Sequence, residues 1–158
     1  MDMKSLLKQL IEIESPSHDK AAVDRVGTLV ADEALKLGAD VEVIPNKKAG
    51  DHVIARWGSG EGRILLMCHM GTVFPMGTLK NMPYREADGK IYGPGTMDMK
   101  AGIVICLAAM AELQRSGGTK RPVTLLCTSD EEIGSHTSRK YIEEFAKQSV
   151  LVLVFEPA

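Results

Sequence analysis

The chain has 158 residues, 44% of them apolar, with 15 glycines and 7 prolines, a composition that suits one turn-rich globular domain rather than a disordered chain. Nineteen basic against twenty-one acidic side chains leave a formal charge of −2, so no general pull toward nucleic acid or an anionic membrane is expected. No secretory apolar region opens the chain and no window approaches the roughly 18 apolar residues of a membrane span. The three cysteines, Cys68, Cys106 and Cys127, form no CxxC pair, and read as buried thiols of a cytoplasmic protein.

Leu6, Leu7, Leu10 and Ile11 recur at helical spacing over residues 3–13, and Ser15-Pro16-Ser17 stops the pattern. A second helix is predicted from Asp19 to Leu37, with Ala22, Val23, Val26, Leu29, Val30, Ala34 and Leu37 as its apolar stripe and Gly38 as its terminator. The period then falls to two. Short strands are expected at 41–44, 52–57 and 63–68, with residues 58–62 as a tight hairpin-like turn between the last two. Ile64 to Cys68 is apolar throughout, as in a strand covered on both faces.

From His69 to Thr96 glycines and prolines break up any period, and a loop of that length inside a domain is usually functional. A helix over 99–113, a strand over 123–128, a helix over 135–146 and a strand over 150–155 follow. Strand, helix, strand, helix, strand describes successive crossover units, hence an α/β layered domain with a largely parallel sheet.

In such folds ligands bind beyond the carboxyl ends of the strands. His69 follows one strand, Asp98 stands where the long loop enters a helix, Glu131 and Glu132 follow the next strand, and Glu156 follows the last. One imidazole and four carboxylates on one edge would repel or lose charge unless a cation sat among them. The nitrogen and oxygen donors suit zinc, with manganese or cobalt as substitutes, and two metals sharing a bridging Asp98 fit so many carboxylates. Asp98 could instead cap the helix that follows. Of Glu131 and Glu132, one would ligate and the other carry a proton, and spacing does not say which. His18 and His52 are expected to be surface or local hydrogen-bonding groups, and His136 to be structural. The methionines of Met97-Asp98-Met99 are expected to pack the floor of the site. Lys100 either orients a carboxylate or caps charge.

Four ordered motifs now stand out: His69-Met70-Gly71-Thr72-Val73-Phe74-Pro75, Gly93 to Gly102 around Met97-Asp98-Met99-Lys100, Thr128-Ser129-Asp130-Glu131-Glu132-Ile133-Gly134-Ser135, and Phe155-Glu156-Pro157. Together they resemble the M20 family of metallopeptidases, most of all its glutamate carboxypeptidase branch, with acetylornithine deacetylase and succinyl-diaminopimelate desuccinylase as relatives. The resemblance implies a three-layer α/β, aminopeptidase-like (phosphorylase/hydrolase-like) fold, a mostly parallel mixed sheet with helices on both faces. It implies two zinc ions, with His69 and Glu156 on the first, Glu132 on the second, Asp98 bridging, and Glu131 as general base and acid. The implied reaction is cleavage of a small peptide or N-acyl amino acid, releasing a carboxyl-terminal amino acid such as glutamate. N-acyl amino-acid deacylation is the alternative.

Two departures accompany the resemblance. The family pattern His-x-Asp reads His69-Met70-Gly71 here, and loss of a carboxylate that holds the imidazole predicts weakened metal binding. The family is also about twice as long or more. Residues 1–158 are therefore expected to be the amino-terminal portion of the catalytic domain, truncated, without the dimerisation or lid domain and the later zinc-binding histidine. A homodimer is expected for the full-length parent, and weak activity and self-association for this chain. A noncatalytic metal-binding or assembly fragment is the rival reading. A Gly-x-Ser-x-Gly elbow and a P-loop are both absent from the sequence.

Overall fold

The computed structural model describes residues 1–157. Helix α1 (Met3–Glu12) is capped by Asp2, whose carboxylate accepts from Lys4 N and Ser5 N, and helix α2 (Lys20–Lys36) by Asp19, which accepts from Ala22 N. Gly38 takes a left-handed φ of 77° just past Leu37, the C-cap of α2, where a side chain would be strained. Strands β1 (Asp40–Ile44), β2 (His52–Trp57) and β3 (Arg63–His69) follow. After a long connection come α3 (Ala101–Arg115), β6 (Val123–Thr128), α4 (Arg139–Lys147) and β7 (Ser149–Val154). That connection contains an antiparallel pair, β4 (Arg85–Ala87) and β5 (Lys90–Tyr92). Three-residue strands carry too little periodicity to be visible in the sequence.

The main sheet has five strands in the order β1-β2-β6-β3-β7. Strands β6, β3 and β7 run parallel, whereas β1 and β2 add an antiparallel flank, so the sheet is mixed. The β2–β3 turn is not a hairpin. All six residues of β6 are buried, and this strand inserts between β2 and β3 so that both of its edges and both of its faces are covered.

The crossover from β3 through α3 to β6 and that from β6 through α4 to β7 move in opposite directions across the sheet. Right-handed connections then require the two helices to lie on opposite faces. They do: α1, α2 and α3 pack with Val53, Ala55, Leu66 and Cys127 on one face, while Phe145, Tyr141 and Ile142 of α4 cover Ile54, Leu65 and Leu126 on the other. A crevice opens where the two helices part, beyond the carboxyl ends of β3 and β6. Trp57, buried at the end of β2, donates from Nε1 to Leu37 O at 3.0 Å and satisfies a terminal carbonyl of α2.

Helix α4 begins at Arg139, four residues later than its spacing suggested. Asp130 accounts for the delay, because one of its carboxylate oxygens accepts from Thr137 N, Thr137 Oγ1 and Ser138 N and holds residues 135–138 in a turn. The cysteines are free and buried, with Cys68 Sγ 3.6 Å from Cys106 Sγ. Bonding to Cys106 and Cys127, with burial, pushes the Cys68 thiol up, which keeps it unreactive.

Candidate metal centre

His69 ends β3 and is 2% exposed, so its ring has one approach to solvent. Along that approach its Nε2 lies 2.9 Å from Asp98 Oδ1, 3.4 Å from Glu156 Oε1 and 3.7 Å from Glu131 Oε2. Two donor groups share this imidazole, His69 with Asp98 and Glu132, and His69 with Glu131 and Glu156; within each, the ligand atoms lie within 4.8 Å of one another. All five residues singled out in the sequence thus converge. The adjacent glutamates reach different partners because they sit on a single 3₁₀ turn, Glu131–Ile133, following β6.

Asp98 does not cap α3. Its φ of −116° is extended, inside the irregular segment Thr96–Lys100, and Lys100 holds the cap position. The Asp98–Met99 peptide is cis. Met99 is fully buried with its sulfur 3.1 Å from His69 N, and so packs beneath the site as expected. Met97 instead projects outward, 68% exposed. It lines a cleft of about 510 Å³ with Phe74, Met82, Tyr92 and Asp98.

Lys100 binds no carboxylate of the centre. Its buried ammonium donates to Leu10 O and Ile13 O, each at 2.8 Å, and ties the carboxyl end of α1 to the segment carrying Asp98. Burial lowers its pKa to about 8 against a smaller pull upward from Glu14. Glu14 fixes the start of the long connection by accepting from Gly77 N and Leu79 N, which hold its carboxyl below the usual range.

His52 is buried, with Nδ1 3.2 Å from Ser129 N and Nε2 3.1 Å from Thr137 Oγ1, a local hydrogen-bonding role behind the Glu131 turn. Burial lowers its pKa. Burial alone would raise Asp130, but hydrogen bonds from Ser138 and Thr137 outweigh it and hold the carboxyl down. The same balance goes the other way in the centre. Glu132 is raised by burial and then by Asp98, and Glu156 by burial together with Asp98 and Glu131 against the pull of His69.

These shifts report crowded negative charge. Among the described residues none of the four carboxylates pairs with a lysine or arginine; the nitrogen they gather around is that of the His69 ring. A divalent cation fits the donor set, since imidazole nitrogen and carboxylate oxygen are its ordinary ligands and its charge would relieve the repulsion. The partner that the sequence lacks at position 71 is supplied by the backbone: His69 Nδ1 lies 3.0 Å from Gly71 O. Neither that carbonyl nor Glu14 could be read from residue types, because one is main chain and the other sits far from the motifs.

The chain is similar to known proteins in sequence and in fold. Residues 65–158 match Peptidase family M20/M25/M40. The chain is 36% identical over 160 residues to carboxypeptidase G2 of Pseudomonas sp. (strain RS-16), an alignment covering 96% of the chain and 37% of that protein. It is 35% identical over 134 residues to acetylornithine deacetylase of Pasteurella multocida (strain Pm70), covering 82% of the chain and 35% of that protein. The fold superposes on an M20 family metallo-carboxypeptidase, Sso-CP2 from Sulfolobus solfataricus, with a TM-score of 0.84 at 20% identity, over 100% of the chain and 38% of that protein. The chain thus spans little more than a third of the length of these relatives.

Proposed function

The chain belongs to peptidase family M20/M25/M40, and from that premise we propose that it forms the metal-binding part of a hydrolase acting on the amide bond of a small peptide or N-acyl amino acid. The observation that carries the reading is the convergence of Asp98, Glu131 and Glu156 within 4 Å of one buried imidazole nitrogen, on a fold shared with the family. Two zinc ions are the favoured cations, and Co²⁺ or Mn²⁺ suit the same donors. His69 and Glu156 would hold one, Glu132 the other, and Asp98 both. The bound metal supplies Lewis-acid polarisation of the scissile carbonyl and acidifies a water.

The chain's residues account for the proton movements. Glu131 sits in the second donor group with His69 and Glu156, about half-exposed, where it can meet both water and substrate. It takes the proton from the attacking water and returns it to the departing nitrogen, so that an amine and a carboxylic acid leave. Asp130 anchors the Glu131 turn through Thr137 and Ser138, and Met99 beneath His69 closes the floor to water.

Likeness to carboxypeptidase G2 favours release of a carboxyl-terminal amino acid such as glutamate. Similarity to an acetylornithine deacetylase supports the second reading, N-acyl amino-acid deacylation. On either reading residues 1–158 form the amino-terminal portion of the catalytic domain of a cytoplasmic protein. A lid or dimerisation domain and further catalytic residues belong to the whole homodimeric enzyme.

The test is a Glu131→Gln variant assayed for amine release from N-acetylornithine and from glutamate-ended dipeptides, with metal affinity measured in parallel. Turnover is expected to fall by about 10²–10⁴ with affinity changed only a few-fold. Turnover surviving in this variant would remove Glu131 from the proposed role.

A further inference from the structure

The inner ring nitrogen of His69, Nδ1, lies 3.0 Å from Gly71 O while Nε2 faces the centre 2.9 Å from Asp98 Oδ1; a carbonyl oxygen only accepts, so Nδ1 donates its N–H to Gly71 O. One peptide plane therefore sets the ring. In a trans peptide the carbonyl and the following N–H point in opposite directions, so holding one end aims the other. The far end of the Gly71–Thr72 plane is held, because Thr72 N donates to Ser15 O at 2.8 Å. Ser17 N donates in turn to Thr72 O at 3.1 Å, and Pro16 pairs with Thr72 as a parallel bridge.

Ser17 does more than pair. Its hydroxyl donates to Thr72 O at 3.4 Å, and it occupies the space in which a side chain at position 71 would begin. A Cβ on residue 71 would overlap Ser17 Oγ and lie 3.1 Å from Ser17 Cβ and 3.4 Å from Ser129 O. Ser17 is 2% exposed, so a displaced hydroxyl has no solvent to enter. Gly71 has no left-handed φ, which leaves this overlap, and not backbone strain, as the reason for a glycine.

We infer that residues 15–17 are a brace for His69, and that Ser17 and Gly71 form a coupled pair in which a main-chain carbonyl does the orienting that a carboxylate side chain would otherwise do. Ser17 is a positioning residue acting through the Gly71–Thr72 peptide. The consequence for metal affinity rests on the reading of His69 as a ligand; the brace itself does not.

The experiment is a double-mutant cycle on the metal-free chain, with Ser17→Gly, Gly71→Ala and the double variant, read by thermal midpoint and by the ¹⁵N shifts of the His69 ring. Zinc dissociation constants are measured on the same proteins and on Gly71→Asp with and without Ser17→Gly. The parent ring is expected to carry a proton on Nδ1, bonded to Gly71 O. Gly71→Ala alone should lower the midpoint, and Ser17→Gly should cancel most of that loss, a non-additive pair. Gly71→Asp alone should weaken zinc by about tenfold or more, with recovery in the double variant. A parent ring with no proton on Nδ1, an additive cycle, or zinc bound tighter by Gly71→Asp alone would overturn the brace. A chain that binds no zinc yet shows the protonated Nδ1 and the non-additive cycle would keep the brace and sink the metal centre instead.

Discussion

Strands β3 and β7 are neighbours of nearly equal apolarity, yet one is enclosed and the other open. In β3, Leu65 is fully buried beneath α4, whereas its register partner Val152 is 37% exposed and Leu153 is 41% exposed. Each strand delivers one residue to the centre, His69 from the enclosed strand and Glu156 from just beyond the open one. Hydrophobicity is thus the same on both sides of the site, and packing alone makes the His69 side the rigid one.

Stability measurements should break or sharpen that contrast. Leu65→Ala removes a side chain held among Ile54, Leu126 and Phe145 and is expected to cost about 2–5 kcal/mol in denaturant unfolding. Leu153→Ala on β7 should cost about 1 kcal/mol or less, since much of its surface already meets water. Equal losses at the two positions would show β7 to be as well packed in solution as β3.

Association should separate the strands next. Val150, Leu151, Val152, Leu153 and Val154 all stay exposed on an edge strand, a template for pairing with another chain. Light scattering is expected to show concentration-dependent self-association that Val150→Lys reduces, with stability changed by about 0.5 kcal/mol at most. A parent chain that stays monomeric at high concentration would contradict this.

The smallest effect is a pH dependence on the enclosed side. Burial keeps the folded pKa of His52 below the ordinary 6.5. As pH falls through 6.5 the unfolded chain takes up a proton that the folded chain refuses, so stability drops. His52→Gln should flatten the fall in thermal midpoint between about pH 7 and pH 5.5. An unchanged slope would place the imidazole proton elsewhere.

Local features of the fold were legible in the sequence, and nonlocal ones were not. Helices α1 to α3 were legible from their spacing and the end of α2 from Gly38, while His69, Glu131, Glu132 and Glu156 were singled out by their places after apolar strands and Asp98 by its place where the long loop enters a helix. Strand order was not, because the insertion of β6 between β2 and β3 is a nonlocal choice made by burial. The β4–β5 pair was too short to show a period, and Asp130 delayed α4 by capturing the backbone N–H groups of Thr137 and Ser138 together with the Thr137 hydroxyl. Ser15-Pro16-Ser17 read only as a helix stop. Its further role depends on main-chain hydrogen bonds to Thr72, which no residue type announces.

The most direct test of the central claim is zinc bound per folded chain, measured by elemental analysis after exchange and compared among the parent, Asp98→Ala and Glu132→Ala. The account predicts bound zinc in the folded parent, lost in Asp98→Ala and reduced in Glu132→Ala, with the fold retained. Folded parent protein without zinc, or zinc undiminished in both variants, would contradict it.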